Sequence, residues 1–245
     1  MEGGANMEHL GIKTVIGAMF FVLMLGGMAV AKETTIGVIV VDVQGDFTKF
    51  KNGSLAVEGT DEAYVKRVED QTKKLKEAGF PIFATQDWHP AKHLSFFSNH
   101  PGKKAFDVVK LHGKDQVLWP PHCVQNTPGA EILLDKKLFA ATVKKGIDPQ
   151  FDSYSGFQDD GGKKTDMDKL LKGKKTKTVV VYGIATDYCV KATALDAAAA
   201  GYKVIFIKNL SRGVAPDTSQ KSIEEMKAKG VVVFDDLNLE KIKAL

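Results

Sequence analysis

Cysteine is scarce in this sequence. Of its 245 residues only two, Cys123 and Cys189, carry a thiol, and no C-x-x-C pair accompanies them. That pattern excludes a disulfide-stapled small domain and a thiolate zinc finger, so any special cysteine acts alone. Excess charge of one sign is equally lacking: 34 Lys and Arg against 30 Asp and Glu leave +4, spread along the chain with no basic block. Nothing in that balance demands a nucleic-acid partner. Internal repeats, low-complexity tracts and an interdomain linker are missing too. What remains is ordinary globular composition, 44% hydrophobic and 26% charged, which suffices to bury a large core.

The chain begins with a long apolar run. Residues 14–31 carry no charge, centre on Ala18-Met19-Phe20-Phe21-Val22-Leu23-Met24-Leu25 and close on Ala29-Val30-Ala31. An apolar run ending in an A-x-A site predicts a secretory signal peptide cut after Ala31, with Met7 as an alternative start that drops Glu2. An uncleaved membrane anchor is the other reading, because the run just reaches spanning length, although Gly26-Gly27 interrupts it. Either reading puts the body, residues 32–245, outside the cytoplasm, periplasmic or secreted.

In that body, residues 35–43 form a nearly continuous β-branched run, the pattern of a strand buried on both faces of a parallel sheet. Tyr64, Val65, Val68 and Leu75 then follow a helical period, Gly79 stops that helix, and residues 80–85 read as the next strand. Strands near residues 138–143, 179–181, 204–207 and 231–234 alternate with an alanine-rich helix over about residues 187–200 and a helix around residues 222–229. Six strands alternating with helices predict one doubly wound, Rossmann-like α/β domain, a six-stranded and mostly parallel sheet with helices on both faces. Residues 88–131 break the rhythm. They are rich in Pro, His, Trp and Phe without periodicity, which marks a functional loop rather than disorder.

In open α/β sheets the ligand crevice lies beyond the carboxyl ends of the strands. Asp42 follows the first strand, Asp87 and His89 the second, Lys145 the third and Cys189 the fourth. Taken singly, each has a bland reading: an Asp at a strand end is a turn former or cap, and a free Cys is a small buried residue. Their coincidence at one rim is what points to chemistry. Thr186 or Asp187 would cap the alanine-rich helix and put Cys189 in its first turn, where the dipole favours thiolate and backbone N–H groups hold an oxyanion. Lys145 would lower the thiol pKa further, and Asp42 would take the proton. Asp87 and His89, two apart in extended backbone, point the same way, and His122 follows in Trp119-Pro120-Pro121-His122-Cys123. One carboxylate with imidazoles suits a divalent metal such as Zn, Fe or Mn, with open positions for water. His93, His100 and His112 stay ambiguous, His93 having a direct or water-bridged role as one option.

These residues resemble the nicotinamidase (pyrazinamidase) branch of the isochorismatase-like hydrolases. Val41-Asp42-Val43-Gln44-Gly45-Asp46-Phe47 is similar to its V-D-V-Q-N-D-F opening, and Gln86-Asp87-Trp88-His89-Pro90 with W-P-P-H-C to its metal motifs. Lys145-Gly146 with Tyr154-Ser155-Gly156-Phe157 is similar to its lysine segment, and residues 183–190 to its nucleophile turn. The resemblance spans roughly residues 36–234. It implies an isochorismatase-like fold and deamidation of nicotinamide to nicotinic acid and ammonia through a thioester on Cys189. Asp42 would be the general base, then the acid for departing ammonia, with Lys145 positioning the pair. Backbone N–H groups of Ala185 and Cys189 would form the oxyanion hole, beside a cis bond between Ile184 and Ala185. Asp87, His89 and His122 would hold a metal that binds the pyridine nitrogen, and Phe47, Trp119 and Tyr188 would wall the ring.

Two departures stand out. Gly45 replaces the usual Asn, which predicts a looser loop beside Asp42 and a shifted substrate preference. The export signal is unusual in a family that mostly serves cytoplasmic NAD salvage. In an oxidising compartment a Cys123–Cys189 disulfide would silence the nucleophile, and the expectation is two free thiols. Rival readings are the sibling isochorismatase reaction, which uses no cysteine; other amide or ureide hydrolases, which lack the D-x-H and W-P-P-H-C pair; and a secreted small-molecule or metal-binding protein, which leaves Lys145 and Cys189 without a role. The expected partner is a small-molecule substrate, with membrane association confined to the N-terminal segment and a homo-oligomer compatible with the sequence.

Overall fold

Runs of Val, Ile and Phe that are apolar on both sides build the centre of the protein. The computed structural model describes residues 1–4 and 36–245. Residues 36–245 belong to one compact unit; the expected signal segment and its cleavage site lie outside the described residues. Strands β1 (Ile36–Val41), β2 (Ile82–Asp87), β5 (Ala141–Lys145), β6 (Thr178–Gly183), β7 (Lys203–Ile207) and β8 (Val232–Phe234) form one sheet in the order β5-β2-β1-β6-β7-β8. Every pairing in it is parallel. A separate antiparallel ribbon joins β3 (Val108–Leu111) to β4 (Lys114–Val117).

Helices cover both faces, as the unbroken apolar runs require. In β1, Val38 and Val40 pack with α1 (Glu62–Glu77) and α5 (Leu239–Ala244), while Ile39 and Val41 pack with α2 (Met167–Gly173), α3 (Lys191–Ala199) and α4 (Pro216–Ala228). The period-2 alternation of strand side chains sorts the residues between the two cores. Helix α1 starts where Asp61 accepts the Tyr64 N–H at 2.8 Å, and its buried stripe is Tyr64, Val65, Val68 and Leu75.

The doubly wound sheet is as expected, with differences at element edges. Asp87 and Lys145 are the last residues of their strands rather than the first after them. The alanine-rich helix begins at Lys191, because residues 186–190 form a π-turn. Helix α4 begins at Pro216, six residues before its buried stripe of Ser222, Ile223 and Met226, since Pro, Asp, Thr and Ser make up its polar first turns. The ribbon, α2 and α5 had no usable periodicity because each is short and lysine-rich. Residues 88–131 are indeed ordered: Phe96 and Leu118 are fully buried, and isolated bridges join His89 to Val124 and Phe96 to Trp119.

Strand order reverses around β1, since β2 and β5 add on one side and β6, β7 and β8 on the other. The crevice at such a switch point is where ligands bind in this architecture. Leu75 belongs to the buried stripe of α1, does not line the cleft and is fully buried. Leu75→Ala should cost about 2–5 kcal/mol in urea unfolding and leave turnover per folded molecule unchanged.

Candidate active site

Parallel register sets the rim. Val41 is level with Gly183, and Asp87 with Lys145, so four strand ends arrive together. Asp42, directly after β1, is fully buried. Its Oδ1 accepts the Thr85 hydroxyl at 2.7 Å, which leaves Oδ2 toward Lys145 Nζ at 3.0 Å. Lys145, also fully buried, has its Nζ 2.5 Å from Asp87 Oδ1, and donates to the Ser153 carbonyl at 2.8 Å and to Cys189 Sγ at 3.4 Å. One ammonium thus touches two carboxylates and the sulfur. Acceptor atoms of Asp42, Asp87 and Cys189 all lie within 4.8 Å of one another.

Burial shapes the electrostatics. It drives the Asp42 carboxyl up to about 6 against the pull of Lys145. At Asp87 burial acts in the same direction, but Lys145 and His89 outweigh it and hold the carboxyl well below its usual range. Lys145 stays a cation because Asp42 and Asp87 more than offset the desolvation of its ammonium. The Cys189 thiol corrects an expectation. Burial raises it well above the ordinary thiol value despite Lys145, so the resting group is a thiol that needs a base. The supposed cap is also different: neither Thr186 nor Asp187 caps the turn that holds Cys189, and Asp187 accepts instead from Val214, Ala215 and Thr218. Tyr188 and Val190 N–H both donate to the Ala185 carbonyl, and the Ile184–Ala185 peptide is cis. Gly183, at φ +133°, lets that turn pass, since a Cβ there would strike the Val41 carbonyl.

Asp87, His89 and His122 form a second cluster, their donor atoms within 4.8 Å of one another. His89 Nδ1–H donates to the Gly146 carbonyl at 2.9 Å, and His122 Nδ1–H to the Pro120 carbonyl at 2.7 Å. Each ring therefore turns Nε2 toward the cluster, and His89 Nε2 is 3.6 Å from Asp87 Oδ2, whose charge offsets burial and raises the imidazole above its ordinary value. Backbone-anchored rings of fixed tautomer beside a carboxylate fit a divalent cation such as zinc, iron or manganese. Burial holds His122 down to about 4, which keeps its lone pair available. Gly146, at φ +64°, is needed here because a Cβ would collide with the His89 ring. His93 is not a further donor. Its Nδ1 pairs with Ser95 Oγ at 2.7 Å and its Nε2 with the Phe151 carbonyl at 3.1 Å, and its ring packs 4.3 Å from that of His89. His100 and His112 bond to backbone carbonyls of Leu94 and Gln150.

Phe47, Trp119 and Tyr188 all line the cleft beside Asp87, His89, His122 and Cys189. Trp119 Nε1–H donates to Tyr154 Oη at 3.0 Å, which adds Tyr154 to the wall. Leu55, Val57 and Val214 also reach it, from loops whose sequence bears no pattern. A wider groove along the outer edge of β5 contains Lys144, Lys163 and Lys169 but neither the thiol nor the imidazoles. Sequence reading also missed Gln44, whose side-chain amide accepts the Asp87 N–H at 2.8 Å and donates to the Asp87 carbonyl at 2.8 Å. Gly45 N–H donates to the Glu131 carbonyl at 3.1 Å, and a Cβ there would lie 3.1 Å from Gly129 Cα. Both cysteines are free, Cys123 in the core on one face of the sheet and Cys189 in the core on the other.

An isochorismatase-domain model matches residues 37–236. The nicotinamidase of Escherichia coli (strain K12) is 42% identical over 203 residues, 80% of this chain and 92% of its own. The yeast nicotinamidase bound to the inhibitor nicotinaldehyde superposes with a TM-score of 0.77 at 34% identity, covering 82% of this chain and 100% of that one. The pyrazinamidase of Pyrococcus horikoshii in complex with zinc gives 0.68 at 38% identity, covering 82% and 98%. The chain belongs to the isochorismatase family.

Removing the ammonium would leave two buried carboxylates uncompensated. Lys145→Met should abolish turnover and destabilise the metal-free protein by about 3–5 kcal/mol at neutral pH. Burial raises the folded-state pKa values of carboxylates left without a cation, so the folded state takes up protons and the deficit shrinks as pH falls. Urea titrations of both proteins at pH 8 and pH 5 in chelator check the sign.

Proposed function

We propose that the protein is a metal-dependent cysteine amidohydrolase that converts nicotinamide, and pyrazinamide, to the carboxylic acid and ammonia. The observation that supports this most directly is the junction of Asp42, Lys145 and Cys189 beside the Asp87, His89 and His122 cluster, within one aromatic-walled cleft. A flat apolar slot suits a flat heteroaromatic ring. Asp87, His89 and His122 would hold a divalent ion, which would supply Lewis-acid chemistry to anchor the ring nitrogen.

The chain's own groups do the rest. Asp42 Oδ2 takes the proton from the Cys189 thiol as sulfur attacks the carboxamide carbon, an activation that a carboxyl near pKa 6 suits. Lys145 holds both partners in place and offsets the charge that builds on sulfur. Ala185 and Cys189 N–H groups receive the developing oxyanion. Asp42 then returns the proton to the amide nitrogen, the C–N bond breaks, and ammonia leaves a thioester. Water enters, gives its proton to Asp42 and attacks the thioester carbon. Sulfur departs and is reprotonated, which releases the acid. A ligand-binding protein without catalysis would need none of the Asp42–Lys145–Cys189 junction.

Cys189→Ala should lose ammonia release from nicotinamide by several orders of magnitude while metal and ligand still bind; retained turnover would refute the nucleophile assignment. Turnover on a panel of nicotinamide, pyrazinamide and aliphatic amides should be confined to the ring carboxamides, fall with chelator and return with a divalent ion. Activity that is indifferent to chelator would exclude the metal role.

We also propose export, on the strength of the apolar run and A-x-A site at residues 14–31. Protein expressed from the full reading frame in its source cell should be soluble in the envelope fraction and begin at Lys32 by N-terminal mass analysis. An intact N-terminus in the membrane fraction favours the anchor, and a cytoplasmic product removes both readings.

A further inference from the structure

Asp187 stands two residues before the nucleophile and has no part in the chemistry above. Its carboxylate is buried, and both oxygens serve a distant part of the chain. Oδ1 accepts the Val214 N–H at 2.9 Å, while Oδ2 accepts the Ala215 N–H at 3.2 Å and the Thr218 hydroxyl at 2.5 Å. Asp187 therefore caps α4 from outside, where the N-cap residue Ala215 offers no side-chain acceptor. Backbone bonds fasten the same two segments, Thr186 N–H to the Arg212 carbonyl at 2.8 Å and Arg212 N–H to the Gly183 carbonyl at 3.2 Å. Arg212 Nε–H then donates to the Gly59 carbonyl at 3.1 Å, tying in the loop that brings Leu55 and Val57 to the cleft.

The segment held this way delivers one side chain to the cleft, Val214. It is among the few large apolar side chains left open to solvent in the described residues, at 42% exposure. Its backbone N–H is clamped and its β-branched side chain has little χ1 freedom, so the methyl groups keep their place. An uncovered apolar group fixed at the lip of a ligand cleft is a surface that a bound ring would cover.

We propose that Val214 sets the size limit of the ring admitted to the cleft, and that Asp187 is the positioning residue that holds it in register with Cys189. The inference rests on the amidase reading and adds its selectivity. A clamped valine is a fixed wall, which an unsubstituted six-membered ring passes and a substituent on the facing ring edge does not.

The test is kcat/KM for nicotinamide and for a set of its ring-methylated isomers, in the metal-loaded wild type, Val214→Ala and Asp187→Ala. Val214→Ala should raise the ratio of methylated to parent substrate about tenfold for at least one isomer. Asp187→Ala should relax the ratio for the same isomer, and the double variant no further than the stronger single one. A merely structural role lowers both substrates alike and leaves the ratio unchanged. Should Asp187→Ala not fold, Asp187→Asn replaces it, since one amide oxygen still accepts while the NH2 group opposes a former donor; the same shift is expected. An unchanged ratio for every isomer in Val214→Ala overturns the inference, and an unchanged ratio in the Asp187 variant removes Asp187 from it. A wild type inactive on nicotinamide overturns the amidase reading and the inference together, whereas an active one with unchanged ratios overturns the inference alone.

Discussion

The ammonium of Lys145 is the group around which the rest of the molecule is arranged. It lies without solvent contact at 3.0 Å from Asp42, 2.5 Å from Asp87 and 3.4 Å from the Cys189 sulfur. A charge in that position is tolerable only when opposite charges and hydrogen-bond acceptors surround it, because desolvation of an isolated ion costs several kcal/mol or more. Here the acceptors come from four other places in the chain: the residue after β1, the last residue of β2, the Ser153 carbonyl beyond β5 and the turn after β6. The parallel sheet is what makes them meet, since its register brings these strand ends to one rim.

Asp87 joins two halves of the site. One carboxylate oxygen faces Lys145, and the other faces the imidazole of His89. The proton-handling group and the candidate metal donors therefore share a side chain, and Gln44 holds that residue by its own backbone N–H and carbonyl. Displacement of Asp87 would disturb both the ring anchor and the pairing of Lys145. The same economy recurs at the nucleophile turn, where Asp187 belongs to the turn by sequence and to the start of α4 by its hydrogen bonds.

Much of this was legible in the chain. The continuous β-branched run at residues 35–43 fits a strand buried on both faces, and apolar runs alternating with helical periods placed all six strands of the sheet to within a few residues. Asp42, Asp87, His89, Lys145 and Cys189 follow or end strands, so the crevice rule was enough to group them. Other partners were hidden because their roles depend on residues far away in sequence. Thr85 and Gln44 look like ordinary strand and loop residues until Asp42 and Asp87 stand opposite them. His93 had the residue type of a ligand, yet Ser95 and Phe151 occupy both of its nitrogens.

Residue order alone determined the fold class, the family and the chemical identity of the groups at the rim, because periodicity and motif spacing are local properties of a chain. Tertiary structure decided the protonation states and the direction of each hydrogen bond. The Cys189 thiol illustrates the division: a helix start and a nearby lysine argued for thiolate, but burial within the core raises the thiol pKa beyond what Lys145 offsets. Burial and the position of a distant charge arise only when separated segments pack together, and no local pattern records them.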